Sequence, residues 1–302
     1  MDILKDTKID FIGKRYYAFI FSAILAVVGI VAAVFIPMGK ANLGIDFTGG
    51  IAIQLKFEKP IAIEQARSIL DKEGSKDAEL QQIAGAHQLL IRLKKAEGEL
   101  KAISDKLTDA FTKGFADNKF IIESTTAVGP TVGKKLQKDA LWAVGISLLG
   151  ILVYVAWRFE LIFGIAAVIA TFHDVLAVLG VFYIMNKEIN LLIITALLTL
   201  AGYSLTDTVV VFDRIRENLR KRGKEVLEDL INRSINEVLS RTIVTSSTVL
   251  LVLLALLIAG GEVIHDFSLA LFFGVLVGTY SSIFVASPLL LLWKGRRGRL
   301  IR

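Results

Sequence analysis

A chain of 302 residues with 54% hydrophobic content and strongly positive mean hydropathy excludes a pair of ordinary soluble domains, since that much apolar surface belongs in a bilayer. The formal charge of +6 does not point to nucleic acid: the basic residues cluster at the ends of apolar segments, where membrane lipid phosphate is the expected counter-ion. With no cysteine, disulfides, thiolate metal sites and a cysteine nucleophile are excluded together.

Residues 1–16 form a tail with Lys5, Lys8, Lys14 and Arg15, followed by a first apolar segment at 17–38. A spanning helix needs about 20 apolar residues. This segment is too long for the core of a usual signal peptide and reads as an uncleaved anchor with a cytoplasmic tail. Residues 39–139 then form an extracytoplasmic domain. It opens on the glycine-rich stretch GIDFTGG (44–50), with Gly44, Asp46, Gly49 and Gly50, read as a tight structural turn in preference to a substrate contact.

Ile51, Ile53, Leu55 and Phe57 alternate with more polar residues and predict a half-buried strand ending before Pro60. A helix over 61–72, a hairpin of 78–84 with 87–94 across Gly85, a helix over 97–111 and a strand over 120–128 complete the order βαββαβ. That order is the ferredoxin-like arrangement. No nucleophile and base stand together, so neither an enzyme nor a cofactor is expected. The following Gly129, Pro130 and Gly133 superficially resemble a phosphate loop but lack its spacing and the hydroxyl after lysine. They read as a re-entry linker, with Lys134, Lys135 and Lys138 near headgroups.

Apolar segments at 140–157, 161–185, 189–212, 243–260 and 267–293 bring the spans to six, so the predicted class is an α-helical membrane protein with a ferredoxin-like α/β domain between helices 1 and 2. The loop 213–242 holds Arg214, Arg216, Arg220, Lys221, Arg222, Lys224, Arg233 and Arg241, and the tail 294–302 is also basic, which places both on the cytoplasmic side. Within that loop Val226, Leu227, Leu230, Ile231, Ile235, Val238 and Leu239 recur at helical spacing. They predict an amphipathic helix lying on the cytoplasmic face.

Ionisable residues inside the spans demand a reason. A charged aspartate at a helix centre costs at least ~2.5–3.5 kcal/mol, and Asp207 lies roughly 9 Å inside the boundary set by Asp213. Tyr203, Ser204 and Thr208 make that side of the helix polar. Arg241 starts the next span with Thr245 and Thr248 on its face and can reach toward Asp207. An acid beside a movable cation would gain or lose a proton as the cation moves. The plainer alternatives are a static polar anchor for Asp207 and a headgroup contact for Arg241. His173 and Asp174 form a second site, roughly 20 Å from the cytoplasmic end of their span and too far out to join that pair. A structural hydrogen-bond hub is preferred there over a proton exit or partner contact, and one histidine is too few for a metal site. Gly274 and Gly278 have the spacing of close helix packing within the bundle.

Four motifs carry a family resemblance: GIDFTGG at 44–50, VGPTVG at 128–133, HDV at 173–175 and GYSLTDTVVVFDRIREN at 202–218. On these the chain resembles the SecF branch of the SecD/SecF family of the bacterial Sec translocase, within the resistance-nodulation-division group. The resemblance implies a non-enzymatic, multi-pass subunit of the bacterial cytoplasmic (inner) membrane. It implies that SecD is the partner, with the SecYEG channel and an exported unfolded polypeptide as further contacts, and that the proton motive force assists translocation. It also implies that Asp207 is a proton-relay carboxylate, that Arg241 is its partner, and that a second relay carboxylate belongs to SecD. An independent small-molecule exporter and a membrane scaffold are the competing classes.

Overall fold

The computed structural model describes residues 7–36, 38–83, 87–94, 99–221, 223 and 225–293. The chain divides into two compact units: residues 43–141 with 188–191, built around a sheet, and residues 1–42, 142–187 and 192–302, built from helices.

Helix α1 (Arg15–Phe35) precedes the sheet unit, which runs α2 (Ile45–Thr48), β1 (Gly50–Phe57), α3 (Ile63–Lys72), β2 (Glu79–Ile83), β3 (Gln88–Lys94), α4 (Leu100–Gly114) and β4 (Phe120–Val128). The alternation read in β1 is what the structure buries: Ile51, Ile53, Leu55 and Phe57 lie against Ala66 and Leu70 of α3 and Leu107 and Phe111 of α4. The sheet has the order β2-β3-β1-β4 with every pairing antiparallel, and Ile53 stands opposite Ile91. With helices after β1 and β3, this is the ferredoxin-like order. The expected hairpin tip at Gly85, along with Lys5, Arg222, Lys224 and the tail 294–302, lies outside the described residues.

Among the described residues six helical segments are long and apolar enough to cross a membrane. They are α1, α5 (Pro130–Arg158), α6 (Leu161–Ile184), α7 (Leu191–Arg220), α8 (Leu227–Ala259) and α9 (Gly261–Ser281), the last continuing through a π-helical turn at Ser282–Ala286. α6 is buried along most of its length and packs on α1 with almost no space between the backbones. A Cβ at Gly29 would lie 2.2 Å from the Leu176 carbonyl oxygen, so only glycine permits the approach.

Two expectations change. The stretch beginning at Pro130 is not a linker but the first turn of α5, where the fixed φ of proline suits a helix start. The segment 213–242 is not a loop with its own surface helix. Residues through Arg220 continue α7, and Leu227 onward opens α8. Its apolar stripe, Leu227, Leu230, Ile231, Ile235 and Leu239, is buried in a core with Phe11, Ile12, Phe212 and Ile215 rather than laid on lipid. On the adjacent side Asn232 and Asn236 hold the N-terminal segment: Asn232 Oδ1 accepts from Phe11 N–H at 2.8 Å, and Asn236 exchanges two bonds with the Ile9 backbone. An amphipathic pattern does not distinguish a protein core from a membrane surface, and here protein supplies the apolar partner.

Candidate functional site

Helix α7 carries Asp207 at 6% exposure, with Ser204 and Thr208 buried on the same stretch. Asp207 Oδ2 accepts from Ser246 Oγ of α8 at 3.2 Å and from Thr279 Oγ1 of α9 at 3.5 Å, and the two hydroxyls lie 2.7 Å from each other. Tyr203 is half-buried, and its hydroxyl makes no hydrogen bond to another described residue. The carboxylate is therefore held by neutral hydroxyls from two neighbouring helices, α8 and α9.

Arg241 is not one of its contacts. Among the described residues no ion pair joins the two, and Arg241 is exposed along an open groove of about 970 Å³ with Tyr154, Arg158, Thr206, Asp213 and Glu237. The reason is helical geometry: five residues separate Arg241 from Ser246, a rotation of about 140° around α8, so the turn that aims Ser246 at Asp207 aims Arg241 elsewhere. Thr245 and Thr248 are also turned away. Their hydroxyls bond back to their own helix, to Arg241 O at 3.0 Å and Thr245 O at 2.7 Å.

His173 and Asp174 sit closer to this site than residue counting suggests. Asp174 is fully buried; its Oδ2 accepts from Ser204 Oγ at 2.5 Å and Ser281 Oγ at 2.7 Å, while Oδ1 lies 3.0 Å from His173 Nδ1. Ser204 is one helical turn from Asp207, so the two acids occupy neighbouring levels of one polar layer. Rise per residue measures distance along each helix's own axis and says nothing of where two axes and their side chains meet.

Ser246, Thr279 and Ser281 hold the two acids and are absent from the expected site. A signal existed for the last. Gly274, Gly278 and Ser281 share one face of α9, and that face meets α7: a Cβ at Gly274 would strike Leu200, and one at Gly278 would lie 3.1 Å from Ser204 Cβ. The glycine spacing thus packs α9 inside the bundle and delivers Ser281 to Asp174.

In the sheet unit the glycine motif is a built junction. Gly49 and Gly50 have φ of 72° and 142°, and a Cβ at Gly50 would lie 2.2 Å from Leu93 O, so both conformation and space require glycine. Asp46 Oδ2 accepts from Leu191 N–H, the first residue of α7, at 3.0 Å, and Gly44 N–H donates to Ile189 O at 2.9 Å. Gly133 lets α5 approach Phe47 O, and Gln137 Nε2 donates to the same oxygen at 2.8 Å. Gly129 and Pro130 make the transition from β4 to α5. Beside the motif Arg92 pairs with Glu188 at 3.0 Å. Burial pushes the Glu188 carboxyl up, and the charges of Arg92 and Lys94 oppose that. Among the described residues no cluster of three or more histidines and carboxylates could hold a metal ion.

Comparison with known proteins places this architecture. The model of the family "Protein export membrane protein SecD/SecF, C-terminal" matches residues 107–296, and that of the "SecD/SecF GG Motif" matches residues 35–61. The chain is 54% identical to the protein translocase subunit SecF of Thermodesulfovibrio yellowstonii over 97% of both chains. It is 44% identical to that of Calditerrivibrio nitroreducens over 98% of both. The crystal structure of SecDF, a translocon-associated membrane protein from Thermus thermophilus, superposes with a TM-score of 0.83 at 38% identity, covering 98% of this chain and 40% of that longer one. A second SecDF crystal structure, in a super-membrane-facing form, gives 0.70. The chain belongs to the SecD/SecF family of protein export membrane proteins, on its SecF branch.

Proposed function

We propose that this chain works with SecD in the bacterial inner membrane, beside the SecYEG channel, and uses the proton motive force to assist movement of an unfolded polypeptide out of the cytoplasm. The observation that carries the reading is Asp207, a carboxyl buried in a spanning helix and held by hydroxyls of α8 and α9 rather than locked to a cation. A proton arriving there changes the charge between three helices, and a charge change in low dielectric favours a different packing. Arg241, in the open groove, is the cation whose approach would favour the ionised form.

The orientation in this proposal puts both termini and the charged ends of α7 and α8 in the cytoplasm and residues 39–139 outside. The Arg214–Glu237, Arg233–Glu225 and Arg158–Asp213 pairs make the cytoplasmic end a charged, water-facing rim. Asp207→Asn tests the coupling. Complex formation with SecD should survive, while proton conduction and export of a secretory protein fall at least tenfold. Normal export and conduction in that variant would refute the coupling, and failure to co-purify with a SecD chain would favour a solitary exporter.

A further inference from the structure

We propose that Asp174 is a second proton-binding carboxyl of this chain, exchanging its proton with Asp207 through the hydroxyl of Ser204. The proposal rests on the proton-coupled reading and adds a site within the chain itself.

The case begins with the surroundings of Asp174. It is fully buried on α6 and is faced by Ser204 from α7, Ser281 from α9 and His173 from its own helix. His173 is the titratable group in contact with it, and Asp207 and Tyr203 are the titratable groups nearest along α7. No lysine or arginine bonds to it among the described residues. A buried acid with fixed donors is committed to its charge, and one with a lone acceptor is committed to its proton. Asp174 is built for both states. When it is ionised, Ser204, Ser281 and His173 Nδ1–H all donate to it, and the unpartnered His173 Nε2 is then a bare lone pair. When Oδ2 takes a proton, Ser281 can turn its own hydrogen to Gly278 O, 3.1 Å away, and accept from the acid. Neither state leaves a buried donor unpaired, which is the usual penalty against changing protonation in a protein interior.

Asp207 has the same construction. Ser246 lies within reach of both Asp207 Oδ2 and Thr279 Oγ1, so its hydrogen also has two destinations. Between the acids stands Ser204, bonded to Asp174 and three residues from Asp207 along α7, an axial rise of about 4.5 Å, and the proposed step places one bridging water there. The step balances as a relay. With its Oδ2 hydrogen turned from Ser281 to Ser204 and the Ser204 hydroxyl turned to the water, Asp174 passes its proton to Ser204 Oγ as the Ser204 hydrogen passes through that water to the Asp207 carboxylate. One proton moves, the charge moves the other way, and Ser204 resets by rotation. His173 is a positioning residue that keeps Oδ1 occupied and leaves Oδ2 to exchange.

The test uses the full chain assembled with SecD in proteoliposomes. The C=O stretch of protonated carboxyls is followed by infrared difference spectroscopy against pH, alongside proton conduction. Asp174→Asn keeps an acceptor for both serines and cannot titrate; it should remove one buried-carboxyl band and reduce conduction at least tenfold, with complex yield unchanged. Ser204→Ala should leave both bands titrating but slow conduction by a similar factor, which also answers the case where Asp174→Asn fails to assemble. Bands and conduction unchanged in Asp174→Asn would make Asp174 a fixed structural acid and overturn the proposal. Loss of the Asp174 band with normal conduction in Asp207→Asn would instead defeat the coupling reading while leaving the site.

Discussion

The two units bury acids in different ways. In the sheet unit Glu188 is paired at 3.0 Å with the guanidinium of Arg92, a group that stays charged at any accessible pH. In the helical unit Asp174 and Asp207 are held by serine and threonine hydroxyls, which donate or accept as required. A guanidinium favours the charged form of an acid and fixes its place, whereas a hydroxyl commits it to neither form. The Arg92–Glu188 pair fixes one acid in the sheet unit, and on the reading proposed above the helical unit is where charge changes.

The strongest way to break this contrast is to remove the cation. Arg92→Leu should cost about 2–3 kcal/mol at neutral pH, less than the ~3–5 kcal/mol of breaking a fully buried pair because this pair is partly exposed. Thermal unfolding of the purified chain in detergent measures it, and the double variant with Glu188→Gln should recover most of the loss. Ser246→Ala should cost about 1 kcal/mol in the same assay, the worth of one hydrogen bond. It should also shift the pH profile of proton conduction; an unmoved profile would show that the hydroxyl is not a working partner of Asp207.

Glu188 gives a smaller effect of defined sign. Its folded-state pKa is raised, so the native chain holds that proton more tightly than the unfolded chain. Stability should decline as pH climbs from the ordinary carboxylate range through the raised value, and Glu188→Gln should flatten that slope. Smallest of all, Thr245→Ala and Thr248→Ala should change unfolding and conduction by less than about 0.5 kcal/mol, since both hydroxyls serve their own helix.

The sheet unit was legible in the sequence because period-two alternation in Ile51 to Phe57 names both the element and its buried face. Spans were legible by length, and Asp207 by the cost of its charge. Its partners were not. Thr245, Ser246, Ser247 and Thr248 are equivalent by composition, and the rotation of α8 that selects Ser246 is set by packing on α7 and α9. The same rotation turned Arg241 into the groove. The level of Asp174 was misjudged because depth along α6 does not fix where α6 meets α7, a matter decided by Ser204 and the close approach at Gly278.

The junction at Asp46 gives α7 a mechanical character. The helix begins with a backbone N–H held by the glycine motif and runs 30 residues without a proline, passing Asp207 on the way. From Leu191 to Asp207 is roughly 24 Å of uninterrupted hydrogen-bonded ladder. Such a segment resists bending far more than it resists being pushed or turned as a whole. On the reading proposed above, a proton settling on Asp207 would therefore act on the helix as a whole rather than on one turn of it.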